Sequence, residues 1–113
     1  MGNEFHMRVL ITGGFGFIGG RLGHILIQDG IDVILGTRGK NVQPPEWLPK
    51  SKVVQTQWDN ISSLENNCKG VDVVVHAAGM NATDCFSNPV GALTVNGLYT
   101  AHLLYSAITS GVK

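Results

Sequence analysis

The chain has 113 residues, 43% hydrophobic and 14% charged, with eight basic and eight acidic side chains and a formal net charge of zero. That composition suits one small soluble domain and excludes a strongly basic surface for nucleic acid or an anionic membrane. No apolar run approaches the ~20 residues of a membrane span, residues 2–6 lack a signal-peptide pattern, and Cys68 and Cys85 make neither a disulfide framework nor metal-ligand spacing, so reduced thiols in a cytoplasmic protein are expected.

Residues 1–6 are polar and mixed and read as an extension ahead of a start at Met7. The apolar run from Met7 to Ile11 predicts a buried strand over about Arg8–Thr12. Thr12-Gly13-Gly14-Phe15-Gly16-Phe17-Ile18-Gly19 follows, and then Ile18, Leu22, Ile25 and Leu26 recur on one face of a helix over about Phe17–Gln28, stopped by Asp29-Gly30. Strand, glycine turn and helix form the setting in which a glycine fingerprint binds a dinucleotide. Gly13 allows the tight turn, Gly16 lets the backbone approach a pyrophosphate, and Gly19 packs helix against strand. The free N–H groups and positive dipole end of the helix suit phosphates. Gly20 and Gly23 inside the helix each cost ~1 kcal/mol against alanine, which points to close packing on the sheet.

A second strand is predicted over Asp32–Leu35, followed by an irregular stretch from Thr37 to Lys50 in which Pro44, Pro45 and Pro49 exclude helix or central strand. A third strand spans Lys52–Thr56, a short helix about Ile61–Cys68, and a fourth strand Val71–His76, apolar enough to be buried on both faces. A loop over 77–88 leads to one long helix over about Pro89–Ser110, with Gly111 as its cap. The alternation implies an α/β fold with a Rossmann-type parallel sheet of order 3-2-1-4, an incomplete doubly wound domain occupying residues 7–113. The ligand crevice then lies beyond the carboxyl ends of strands one and four, where the winding reverses. No metal site is expected.

The end of the second strand selects between dinucleotides: a carboxylate suits the ribose of NAD, an arginine the 2′-phosphate of NADP. Leu35-Gly36-Thr37-Arg38-Gly39-Lys40 contains no carboxylate, and Asp32 stands at the wrong end of the strand. Arg38 offers a planar fork to phosphate oxygens and Lys40 a point charge, so the reading is NAD(P), leaning to NADP. On the last helix Leu93, Asn96, Thr100, Leu104 and Ala107 share the face read as inward, where Asn96 would need partners. Val95, Leu98, His102, Tyr105 and Thr109 make an opposite face too apolar for a solvated one, which implies burial by further chain or a subunit contact. His24 and His102 read as helix-surface residues, and His76 as a packed strand residue.

These motifs resemble the N-terminal part of the extended short-chain dehydrogenase/reductases, the group of nucleotide-sugar epimerases and dehydratases. The resemblance runs from Met7 to Lys113 and rests on Thr12–Gly19, on His76-Ala77-Ala78-Gly79 and, loosely, on Val95-Asn96-Gly97. It implies that Phe17 and Ile18 present backbone N–H groups to the pyrophosphate and that Thr37 stands where relatives carry a ribose-binding aspartate. Ala77, Ala78 and Gly79 would line the cofactor ribose, and Asn96 would tie the last helix to strand four. The family's adenine-contacting pair falls on Gln57 and Trp58; Gln57 could bond the adenine amino group, and Trp58 is either a ring against adenine or a core aromatic under the proline loop. The resemblance also implies a homodimer through the last helix and a nucleotide-sugar substrate for the intact protein. The family's tyrosine with lysine four positions on is not present, since Tyr99 leads to Leu103 and Tyr105 to Thr109, so no catalytic residue is assigned. The chain ends where a fifth strand is expected, leaving strand four an apolar edge prone to aggregation, and a fragment of a longer protein is the expectation. The alternatives are an NAD(P)-dependent epimerase, dehydratase or reductase, and a non-catalytic NADP-binding module or inactive fragment.

Overall fold

The computed structural model describes residues 6–113, so the expected extension lies, apart from His6, outside the described residues. Four parallel strands form one sheet in the order β3-β2-β1-β4, with β1 Arg8–Thr12, β2 Asp32–Thr37, β3 Lys52–Gln55 and β4 Val73–His76. Helix α1, Phe17–Gln28, links β1 to β2, and α2, Ile61–Cys68, links β3 to β4. β2 runs two residues beyond the sequence expectation because Gly36 and Thr37 pair with Val54 and Gln55. β4 begins two residues later than expected, because the Val71 N–H turns back to Cys68 O and only Val73 onward registers with β1.

Side chains of successive strand residues leave opposite faces of the sheet, and both faces are filled. Val9, Ile11, Val33 and Leu35 make one core with Leu22 and Leu26 of α1 and Leu48 of the proline segment. Leu10 and Ile34 point the other way, into a core with Trp58, Leu64, Cys68, Leu103 and Ala107. Gly23 packs on the sheet as expected, since a Cβ there would lie 3.2 Å from a Leu35 methyl; Gly20 instead meets the Trp47 ring of the proline segment. α2 is capped by Asn60, whose side-chain oxygen accepts from the Ser63 N–H at 3.0 Å. Asn60→Ala should cost about 1 kcal/mol, seen as a lower urea midpoint at unchanged slope.

The last third departs from the expectation. The 77–88 loop contains a short helix α3, Ala82–Ser87, and the single long helix is three pieces: α4 Pro89–Ala92, a π-helical segment Leu93–Leu98, and α5 Tyr99–Thr109. A π turn takes more residues than an α turn, so the 3.6-residue phase is lost across residues 93–98. The face read as inward holds only in part: Ala107 is buried as expected, but Leu93 and Leu104 are 73% and 60% exposed, and Leu103 and Ser106 are buried in their place. Strand β4 is also less buried than its composition implied. Val73 is 39% exposed and Val74 to His76 half-buried, because the sheet ends at this strand among the described residues.

Candidate functional site

A cavity of about 580 Å³ opens at the carboxyl ends of β1, β2 and β4, where the strand order reverses. Its floor is the glycine turn. Gly13 has φ +63°, a left-handed conformation that side chains resist, and a Cβ there would stand 2.8 Å from the Ala78 nitrogen. The Gly16 N–H returns to Gly13 O at 3.0 Å, which closes the turn, and the first bond of α1 runs from the Gly20 N–H to Gly16 O. The N–H groups of Phe17, Ile18 and Gly19 precede that bond and have no acceptor within the helix. The first turn of α1 carries no acidic side chain to compete for them.

One wall is the end of β2 with the residues that follow, Thr37, Arg38 and Gly39. The Thr37 hydroxyl accepts from the Gly39 N–H at 3.1 Å, folding the segment so that Arg38 is exposed beside the opening. The opposite wall is Ala77, Ala78, Gly79 and Met80, continued by Asn81 and Asp84. Ala78 N–H donates to the Thr12 hydroxyl at 3.2 Å. Asn96 clamps the next residue but one: its side-chain oxygen accepts from the Met80 N–H at 2.8 Å and its amide donates to Met80 O at 3.3 Å. Asn96 therefore ties the last helix to the turn after β4 rather than to the strand itself. The π-helical geometry puts it there.

The back of the cavity is aromatic. Trp58 and Tyr99 stack with centroids 5.6 Å apart and planes 8° from parallel, and Trp58 tilts against His76 at 5.6 Å. His76 bonds Thr12 and Thr100 through its two ring nitrogens, and burial holds its proton affinity below the ordinary imidazole value of 6.5. His102, expected at the surface, is half-buried; its Nδ1–H donates to Trp58 O at 2.8 Å. Burial, and secondarily the nearby Glu65 carboxylate, pushes the Cys68 thiol up, as befits an inert core residue.

Comparison with known proteins gives this arrangement a context. The model of the NAD dependent epimerase/dehydratase family matches residues 9–113. The chain belongs to that family. Its epimerase/dehydratase region is 36% identical over 102 residues to a Methanocaldococcus jannaschii protein provisionally named UDP-glucose 4-epimerase, covering 85% of this chain and 32% of that protein. MoeE5, solved with UDP-glucuronic acid and NAD, is 25% identical with a TM-score of 0.79, over 94% of this chain and 34% of MoeE5. UDP-glucose-4-epimerase from Stenotrophomonas maltophila, solved with NAD and formylated UDP-arabinopyranose, superposes with a TM-score of 0.84 at 24% identity, over 96% of this chain and 35% of that one. The chain thus spans about a third of the length of each of these relatives.

In this epimerase/dehydratase-family chain the structure gathers Gly13, Gly16, Thr37, Arg38, Trp58, Ala77, Ala78 and Gly79 around one cavity. Gln57 is exposed and not part of the wall, and its carbonyl accepts from the Asn60 N–H at 3.0 Å. Phe17 and Ile18 are more than 70% exposed, Phe17 lies under the Arg21 guanidinium on the outside of α1, and neither residue lines the cavity. Gly19 packs against the Gly13 carbonyl, within the turn rather than on the strand. Sequence reasoning missed the part played by the Thr12 side chain. Thr12 carries a signal of its own: a hydroxyl that closes the buried apolar run Val9–Ile11 needs a partner. Among the described residues no helix is long and apolar enough to cross a membrane.

Proposed function

We propose that this chain forms the NAD(P)-binding portion of a nucleotide-sugar epimerase, dehydratase or reductase, working in the cytoplasm. The observation that carries the reading is the left-handed Gly13 turn pressed on Ala78, with the unbonded N–H groups of α1 beside it at the switch point of the sheet. The cradle fits a dinucleotide: side-chain-free backbone at Gly13 and Gly16 leaves room for a pyrophosphate, the N–H groups of Phe17, Ile18 and Gly19 supply donors, and Ala77, Ala78 and Gly79 leave room for a ribose. When bound, the nicotinamide would supply hydride transfer. The chain's own part is to bind and orient it.

The cofactor preference we assign is NADP. Arg38 stands beside the opening, Thr37 replaces a carboxylate, and Asp84, on the opposite wall, is the one acidic side chain of the cavity lining. Calorimetry with both dinucleotides tests this: Arg38→Ala should weaken NADP by roughly tenfold or more, the worth of a charge-assisted phosphate contact, and leave NAD nearly unchanged. Equal losses would show that Arg38 does not read a 2′-phosphate, and no binding of either dinucleotide at millimolar concentration would sink the whole reading.

A non-catalytic binding module is the second reading. Tyr99 is the tyrosine of the cavity, and the residue four positions on is the buried Leu103, not a lysine. Turnover of a nucleotide sugar by the protein would dismiss it. Leu104, Tyr105 and Ile108, all more than half exposed on α5, are where we place a homodimer contact.

A further inference from the structure

Six hydrogen bonds run in a circuit that leaves the Ala77–Met80 turn at Ala78 and returns to it at Met80. The Ala78 N–H reaches the Thr12 hydroxyl (3.2 Å), Thr12 reaches His76 Nδ1 (2.7 Å), and His76 Nε2 reaches the Thr100 hydroxyl (2.9 Å). Thr100 donates to the backbone oxygen of Asn96 (2.8 Å), and the Asn96 side chain closes on Met80 with two bonds (2.8 and 3.3 Å). The polarity is forced. Thr100 spends its one proton on Asn96 O, so its oxygen must accept from His76 Nε2–H. A neutral ring has a single N–H, so Nδ1 accepts, and the Thr12 hydroxyl donates to it while its oxygen accepts from Ala78.

A second ring proton breaks this order. Nδ1 would become a donor aimed at a donor. Thr12, fully buried, would have to turn its hydroxyl away to an acceptor it does not now use. No carboxylate is bonded to the ring to receive the charge, because both nitrogens are taken by threonines. The charged and titratable groups sharing the two cavities that His76 borders are Arg38 beside β2, Asp84 on α3, Tyr99 on α5, and Lys113 on the far side. His102, one turn along α5, is committed to Trp58 O.

We propose that His76 is a pH-sensitive positioning residue: its neutral ring holds Thr12 and Thr100 so that the Ala77–Met80 turn keeps the shape that binds a dinucleotide. The proposal rests on the dinucleotide reading above and adds a control to that same site. Because burial lowers the ring's proton affinity, His76 is neutral at pH 7 to 8 and takes up its proton only below 6.5. The binding-competent state then disappears on acidification, with affinity falling roughly tenfold per pH unit below the ring's own pKa where only the neutral form binds.

The test is calorimetry with oxidised NAD, which has no phosphate titrating in this range, on the protein at pH 8.0, 7.0, 6.0 and 5.0. The wild type should bind equally at the two higher values and progressively less well below them, while His76→Asn should bind more weakly with a flat profile. A flat wild-type profile, or the same acid loss in His76→Asn, overturns the proposal and leaves the dinucleotide site standing. Absence of binding of both NAD and NADP at pH 8.0 overturns the dinucleotide reading instead. An NMR titration of the His76 ring in the wild type needs no variant: an inflection below 6.5 with loss of the Ala78 amide shift supports the switch, and an inflection at or above 6.5 overturns it.

Discussion

Gly13→Val should abolish dinucleotide binding and lower stability by about 3 kcal/mol. Two costs combine. A non-glycine residue held in the left-handed region costs roughly 1–3 kcal/mol, more for a branched side chain. The second is steric: a Cβ at Gly13 would sit 2.8 and 2.9 Å from the Ala78 nitrogen and Cα, which are backbone and cannot swing aside. The turn must move off β4, and the Ala78 N–H then loses Thr12. Gly30→Ala separates the two costs. Gly30 has φ +79° with nothing within 4 Å of its added Cβ, so it bears the conformational cost alone and should lose only about 1 kcal/mol with binding intact. Thermal melts of the two variants, read beside calorimetry, check this: for a domain of this size 1 kcal/mol moves the midpoint by roughly 4–8 °C. A Gly13→Val protein as stable as Gly30→Ala and still binding a dinucleotide would remove the turn from the site.

What the sequence made legible follows from repetition. Strands β1 and β2 send Val9, Ile11, Val33 and Leu35 into one core and Leu10 and Ile34 into the other, so each stands out as a short continuous apolar run, and the alternation of strand and helix with right-handed crossovers gives the sheet order. Helix α1 is bounded by Gly16 before and Gly30 after, both readable as turn residues. The fold class and the position of the cavity come from the same signals, because topology places the crevice. The last third was not legible because its geometry is irregular. Nothing in Leu93-Thr94-Val95-Asn96-Gly97-Leu98 announces a π turn, and one such turn rotates Leu104 out and Leu103 in. Asn60, Asn81 and Asn88 each cap a helix; helices beginning at Ile61 and Pro89 were expected, but α3 was not, because it has no buried residue to give it a period. His102 was misplaced for a related reason: its partner is a backbone carbonyl 44 positions away, and no local pattern encodes that.

Trp58 decides how much of the cavity's back wall is ligand surface and how much is core. The sequence left the two open, as an aromatic following a polar residue after β3. In the structure its ring is 7% exposed, one face stacked on Tyr99 and another side tilted toward His76, within the cluster that holds Leu10, Leu64 and Leu103. A ring committed in this way has little area left for an adenine, so its main work is to hold α5 on the sheet. Trp58→Ala should therefore cost about 3–5 kcal/mol, the range for emptying a large aromatic site, and leave little folded protein at 37 °C. Trp58→Phe keeps a ring against Tyr99 and should cost about 1–2 kcal/mol. Folded Trp58→Phe, followed by denaturant melts and by calorimetry at a temperature where both proteins are native, should bind NAD within about threefold of wild type. A tenfold loss of affinity at preserved stability would assign the ring to the ligand, and the stack on Tyr99 would then be the support that aims it.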